Sequence, residues 1–345
     1  MNRLLIVRLG ALGDIVHAIP VAAALRRAFE SAKIDWLVSA TYREILGLVP
    51  VIDRLLVVND RTAAKGGASL LSAIRQLRLM RYDVAFDLQG LLKSALLARS
   101  SGARRVIGFS SSYARESLSR LFYTDVCDPG RGGLYDPREG RHVVEINLSV
   151  LQRVGVSAGK PEFPIGSVES VAARRAAELT SGRYALLNPG AAWPNKRWPP
   201  ERFGELAISL RERQGLPSIV LWGPVEQSIA DSVVASSRGA AISLGRTTVS
   251  DVIALARGAL IMVSGDTGPM HVASAVGTPL VGIYGPTRPA RNGPMAPEDV
   301  TVSRQGCRCH HRRRCRLDRM CLLDVTVDEI VAAVERRLAI ERVRA

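Results

Sequence analysis

Four residues with recognisable chemistry, Asp266, Thr267, Gly268 and His271, crowd into one stretch, Ile261–His271 (IMVSGDTGPMH). An apolar run stops there on Ser264 and Gly265, and Pro269 stands where a helix would begin. A strand that ends on small polar residues and is followed at once by Pro is a strand-to-helix turn. In a parallel sheet such turns lie at the carboxyl edge, where ligands bind. The N–H groups of a new helix favour an anion there, typically a phosphate. The functional reading is a grip on the diphosphate of a nucleotide-linked donor. The same residues also suit an ordinary βα loop with Asp266 as helix cap.

A second such turn follows Leu4–Val7, in LGALGD. Gly10 and Gly13 let the chain turn closely, and Asp14 stands at the helix start. The pattern is not G-x-G-x-x-G, which argues against an ordinary NAD site. Asp14 reads equally as a helix cap or as a carboxylate able to take a proton from a hydroxyl. Gln89 and Lys93 follow the strand Val84–Leu88, and Arg61 and Lys65 lie in a polar loop suited either to solvent or to clamping an anionic acceptor. In the second half, NPGAAWPNKRWP brings Lys196 and Arg197 to a strand end, where both can neutralise phosphate. Glu226 follows WGPVEQ, placed to accept from sugar hydroxyls or to serve as a first-turn helix acid.

The elements that position these residues alternate. Leu4–Val7, Ile34–Val38, Leu55–Val58, Val84–Leu88 and Val106–Phe109 read as strands, and Ile15–Phe29 as a helix. After the Gly- and Pro-rich connection Gly155–Gly166, the alternation resumes with Tyr184–Leu187, Ser218–Trp222 and a last strand at Leu280–Tyr284. This pattern predicts two α/β domains with parallel sheets covered on both faces. The boundaries are 1–160 and 161–325, with 326–345 as a C-terminal helix packing back on the first domain.

The 345 residues suit two cores, and the charge of +15 favours anionic partners. Aromatic residues make up only 5%, which argues against a nucleic-acid-binding protein built on base stacking. No apolar run is long enough to span a bilayer. Arg8, Asp14 and His17 interrupt any signal-peptide pattern, which points to the cytoplasm. Cys307, Cys309, Cys315 and Cys321 crowd together among His and Arg. That segment reads as a reduced, basic surface insert or as a structural metal site, although C-x-C is not the usual knuckle spacing.

Four segments, LIVRLGALGDIVHAIP, FDLQGLLKSALL, NPGAAWPNKRWP and SGDTGPMHVASAVGTPLVGIYGPT, in this order, resemble glycosyltransferase family 9, the ADP-heptose:lipopolysaccharide heptosyltransferases. The resemblance covers nearly the whole chain and looks closest to the heptosyltransferase I branch. It implies a GT-B fold, two Rossmann-like domains with parallel sheets facing a central cleft. It also implies transfer of heptose from ADP-heptose to a Kdo hydroxyl of Kdo2-lipid A, with inversion and without a metal cofactor. Asp14 is then the general base. Lys196, Glu226, Asp266, Thr267, Gly268 and His271 match the donor positions. Arg61, Lys65, Gln89, Lys93, Arg115 and His142 are the acceptor candidates. The implied enzyme is a monomer at the cytoplasmic face of the inner membrane and does not bind nucleic acid. A second core heptose or a protein side chain is the alternative acceptor, and a metal-containing nucleic-acid-binding protein the alternative from another class.

Overall fold

The computed structural model describes residues 1–58, 74–130, 132–136, 138–304, 312–315 and 320–344. Arg61, Lys65, Cys307 and Cys309 lie outside the described residues. The chain divides into two compact units, Met1–Gly166 and Ser167–Ala345.

The first unit is built on six strands: β1 (Arg3–Val7), β2 (Lys33–Ser39), β3 (Arg54–Val58), β4 (Val84–Asp87), β5 (Arg105–Phe109) and β6 (Asp125–Cys127). They lie in the order β3-β2-β1-β4-β5-β6, all parallel. The second unit holds β7 (Ala185–Asn188), β8 (Ser218–Val220), β9 (Ala241–Ser243), β10 (Ile261–Gly265), β11 (Leu280–Tyr284) and β12 (Val300–Ser303). Their order is β12-β11-β10-β7-β8-β9, also all parallel. Counted within its own unit, each sheet has the doubly wound order 3-2-1-4-5-6. The strand order therefore reverses between β1 and β4 in one unit and between β7 and β10 in the other. Such switch points leave a crevice at the carboxyl ends, because the two flanking loops run to opposite faces of the sheet.

The register brings the loops together. Val7 pairs with Asp87, and Asn188 pairs with Ser264. The central strands are apolar because helices cover both faces; all of Leu4–Val7 and all of β10 and β11 are buried. In the second core, Leu187, Val263 and Ile283 meet Leu206 and Leu210 of the helix Pro200–Gln214 and Ile330 and Val334 of the closing helix Val327–Arg344. Each such side chain contributes about 2 kcal/mol of burial.

Several elements differ from their sequence-based expectation. The helix expected over Ile15–Phe29 is two, Leu12–Val16 and Ile19–Ala28. Pro20 is the reason: it has no N–H for the Val16 carbonyl, so the helix restarts with Pro in its first turn. Leu280–Tyr284 is not the last strand, because β12 pairs with it. β12, β6 and β9 are short or half-exposed edge strands with no strong apolar run. The closing helix belongs to the second unit, packed against Pro200–Gln214, β11 and β12. Asp299 fastens it there, taking Arg337 Nε at 2.8 Å and the Leu280 N–H at 2.9 Å.

Candidate active site

Each switch point carries an aspartate held by basic side chains. In the first unit the loop after β1 places Asp14 in the first turn of Leu12–Val16, and its Oδ2 accepts from the Ala11 N–H at 3.1 Å. Asp14 is thus not the N-cap residue, which is Ala11, but sits at the third helical position and reaches back to the Ala11 N–H while still exposing 22% of its side chain. Arg8 Nη2 lies 2.8 Å from Oδ1, and Arg115 Nη2 lies 2.6 Å from Oδ2. Burial alone would raise the Asp14 pKa, but the charges of Arg8 and Arg115 outweigh it. They hold the carboxyl well below the usual carboxylate range, ionised at neutral pH.

The two arginines differ. Arg8 is 5% exposed and also donates to the Leu88 carbonyl. Burial brings its pKa down to about 10, against the opposing pull of Asp14. Arg115 is 33% exposed. Gly90 explains how Arg115 arrives. Its φ is +67°, and a Cβ there would sit 3.1 Å from the Arg115 nitrogen and 3.2 Å from Ala114 Cα. Only glycine accepts that conformation and that approach. Glu116 locks the same segment, donating its N–H to the Gly90 carbonyl at 2.9 Å. Its carboxylate takes the Leu92 N–H at 2.6 Å.

Gln89 is brought to this site as a brace, its Oε1 accepting from the N–H groups of Leu9 at 3.0 Å and Gly10 at 3.3 Å. Lys93 stands exposed in the first turn of Leu92–Ser100, where a cation opposes the helix dipole. His142 caps the helix Val143–Leu148, taking the Val144 N–H on Nδ1 at 3.2 Å. Its ring meets His17 edge-on at 5.5 Å. Asp87 is wholly buried and accepts from Gln89 N, Gly90 N, Ser94 Oγ and Tyr123 OH, so it builds the loop after β4.

In the second unit, Asp266 is sealed, with 2% of its side chain exposed. Lys196 Nζ lies 2.5 Å from Oδ2 and His271 Nε2 3.1 Å from Oδ1. Burial would push this carboxyl up as well. The His271 hydrogen bond and the Lys196 charge prevail and hold it well below the usual range. Lys196 also sits 4.7 Å from the centre of the Trp193 ring, a cation–π contact. A Cβ on Gly265 would come within 2.8 Å of the Lys196 carbonyl, so glycine lets the two loops touch. Asn188 Nδ2 donates to Ser264 Oγ at 2.9 Å and Thr267 Oγ1 at 2.8 Å.

Thr267 opens the helix Gly268–Ala275 and makes no side-chain cap, leaving first-turn N–H groups for a ligand. Glu226 precedes the helix Gln227–Ser236, and its Oε2 accepts the Gly223 N–H at 2.9 Å. Its carboxylate lies over Gly190 of the loop after β7. Lys196, Glu226, Asp266 and Thr267 thus follow three adjacent strands, β7, β8 and β10. Cys315 and Cys321 of the expected metal set are partly buried, and among the described residues no group of three or more His, Cys, Asp or Glu could hold a metal ion.

Sequence reasoning passed over Arg8 and Asn188. Arg8 had a signal, a cation directly after the buried strand LLIV. Asn188 had the matching one, a polar residue ending ALLN.

Residues 70–320 match the profile of Glycosyltransferase family 9 (heptosyltransferase). The chain is 30% identical over 301 residues to lipopolysaccharide heptosyltransferase 1 of Pseudomonas aeruginosa, covering 84% of this chain and 81% of that protein. The solved structure of E. coli heptosyltransferase WaaC with ADP superposes with a TM-score of 0.79 at 24% identity, covering 97% of this chain and 99% of that one. The same enzyme with ADP-2-deoxy-2-fluoro heptose gives a TM-score of 0.74 at 25% identity, covering 96% and 99%.

Proposed function

The chain belongs to the heptosyltransferases of glycosyltransferase family 9, and we propose that it moves L-glycero-D-manno-heptose from ADP-heptose to a Kdo hydroxyl of Kdo2-lipid A. Asp14 takes the hydroxyl proton as that oxygen attacks the anomeric carbon. The bond from that carbon to the diphosphate breaks, ADP leaves and the configuration inverts. Lys196 and the N-terminus of Gly268–Ala275 take up the charge that develops on the diphosphate, work that needs no resident metal. Asp266 and His271 hold Lys196 and the turn in place. Glu226 accepts from hydroxyl groups of the donor. Arg115, Lys93, Arg61 and Lys65 recognise the anionic acceptor, with Gln89 and His142 bracing that side. The protein works as a monomer at the cytoplasmic face of the inner membrane.

One observation carries this reading. Asp14 is an ionised, oriented and partly exposed carboxylate at the switch point of its sheet. Purified protein given ADP-heptose and Kdo2-lipid A should add one heptose to the lipid, read by mass spectrometry. Asp14→Asn should stop transfer while the protein still binds ADP-heptose. Transfer at the normal rate by Asp14→Asn would remove the general base from the mechanism. Transfer only to a heptosylated core or to a protein would keep the family chemistry and replace the acceptor.

A further inference from the structure

Six leucines stand exposed among the described residues, and four of them, Leu92, Leu96, Leu118 and Leu121, lie on two elements of the first unit. Leu92 and Leu96 are one turn apart on the helix Leu92–Ser100. Leu118 and Leu121 are three apart on the 3₁₀ turn Ser117–Phe122, where that spacing aligns side chains. The two elements pack together, and the Glu116 carboxylate on the Leu92 N–H ties them. Their inward sides are already used: Ser119 is wholly buried and Phe122 packs on the core. The outward leucines are left bare, Leu118 at 60% and Leu121 at 72% exposure. Scattered exposed leucines are ordinary, but four on one pair of packed elements concentrate apolar surface on this part of the first unit.

Basic residues outnumber acidic ones around this patch: Lys93, Arg99 and Arg120 are exposed there against Glu116, whose carboxylate is engaged by the Leu92 N–H. Neither Lys93 nor Arg120 makes an ion pair among the described residues. Arg115, which holds Asp14, lies two residues before the 3₁₀ turn. The chain thus runs from the residue that holds Asp14 directly into the leucine-bearing turn. Apolar side chains rimmed by cations match an interface of acyl chains beneath anionic headgroups.

We infer that the face made by Leu92–Ser100 and Ser117–Phe122 rests on an anionic lipid surface and brings Arg115 and Asp14 to the level of the headgroups. This rests on the reading of the acceptor as a membrane-borne anionic glycolipid. The patch suits shallow, reversible docking, with leucines among the upper acyl segments and cations among the headgroups.

Vesicle co-sedimentation of the full chain tests it. Vesicles of equal parts phosphatidylglycerol and phosphatidylcholine should bind the protein, phosphatidylcholine alone should bind it weakly, and salt should loosen the binding. Leu118→Ser with Leu121→Ser should lower partitioning about tenfold, and Arg120→Glu should lower it further at low salt. Val171→Ser, an exposed apolar residue of the second unit, should change nothing. The double variant should still transfer heptose to a deacylated Kdo acceptor at the normal rate. The inference fails if the double variant binds mixed vesicles as tightly as the parent, or if the parent binds neither vesicle. It fails too if the parent is a dimer that the double variant splits, since the patch is then a contact between copies. Failure of the parent to use any Kdo acceptor, with vesicle binding as expected, would overturn the proposed function and leave the surface standing.

Discussion

Asp14 follows the first strand of its sheet and Asp266 the fourth strand of a sheet with the same order, so each flanks a switch point from the opposite side, and the protein treats them in opposite ways. Both are ionised and both are paired twice. Asp14 keeps a window to solvent, and one of its partners, Arg115, is itself one-third exposed. Asp266 has no window, and its partners Lys196 and His271 are nearly as enclosed. An ion pair that shares its space with water can exchange a partner for an anionic ligand at small cost. A sealed pair cannot, because either charge left alone would be stranded in a poor solvent. The same scaffold thus offers one aspartate that can meet a substrate and one that can only hold another group still.

The strongest way to break this contrast is to neutralise each carboxylate in turn. Asp14→Asn should lower kcat by about a thousandfold, roughly 4 kcal/mol of barrier, and leave the ADP-heptose dissociation constant within about twofold. Asp266→Asn should act on the fold and on the donor instead. Leaving Lys196 without its buried partner costs about 3 kcal/mol, read as a lower Tm, with weaker ADP-heptose binding by calorimetry. If Asp266→Asn lost kcat alone, the two roles would have to be exchanged. The pH dependence has a definite sign. The folded-state pKa of Asp266 lies below its unfolded value, so its charge stabilises the fold above the ordinary carboxylate range, and that gain fades as the pH falls below it. Asp266→Asn should flatten the acid limb of a stability–pH curve. A limb of unchanged slope would show that other carboxylates govern acid unfolding.

Arg115→Gln should come next in size. It removes a cation from the exposed side of Asp14 while Arg8 remains. The KM for the acceptor should rise about tenfold to a hundredfold, with less than about 1 kcal/mol lost in stability, as for an exposed ion pair. A large drop in Tm would mean that Arg115 serves the fold more than the ligand.

What could be read from the amino-acid chain followed the strength of each local signal. Nine of the twelve strands were legible from their apolar runs, and so were the loops after them, because Gly, Pro and polar residues mark where a run ends. Asp14, Lys196 and Asp266 were found that way. The edge strands β6, β9 and β12 were not, since three or four half-exposed residues carry no pattern distinct from a loop. Partners were less legible than positions. That Arg8 and Arg115 share one carboxylate depends on a contact between residues 101 apart, arranged by the left-handed Gly90. No spacing in the chain encodes such a meeting. Gln89 shows the converse: it was placed correctly at a strand end, yet its carbonyl oxygen braces the β1 loop.

The smallest effect separates rigidity from chemistry on the second side. Val225 has a φ of +67° and is 98% exposed, so a β-branched residue holds a left-handed conformation with nothing packed on it. That backbone state strains any residue but glycine. Val225→Gly should relieve the strain and raise stability, by about 1 kcal/mol at most, because glycine also frees the unfolded chain. Val225 directly precedes Glu226, whose carboxylate accepts the Gly223 N–H across this turn. If the strained turn serves to aim Glu226 at the donor, Val225→Gly should raise Tm slightly and raise the KM for ADP-heptose about twofold to threefold, with kcat unchanged. A higher Tm with an unaltered KM would make the turn a local defect. The pre-set geometry of the second side would then rest on Asp266 and its two partners alone.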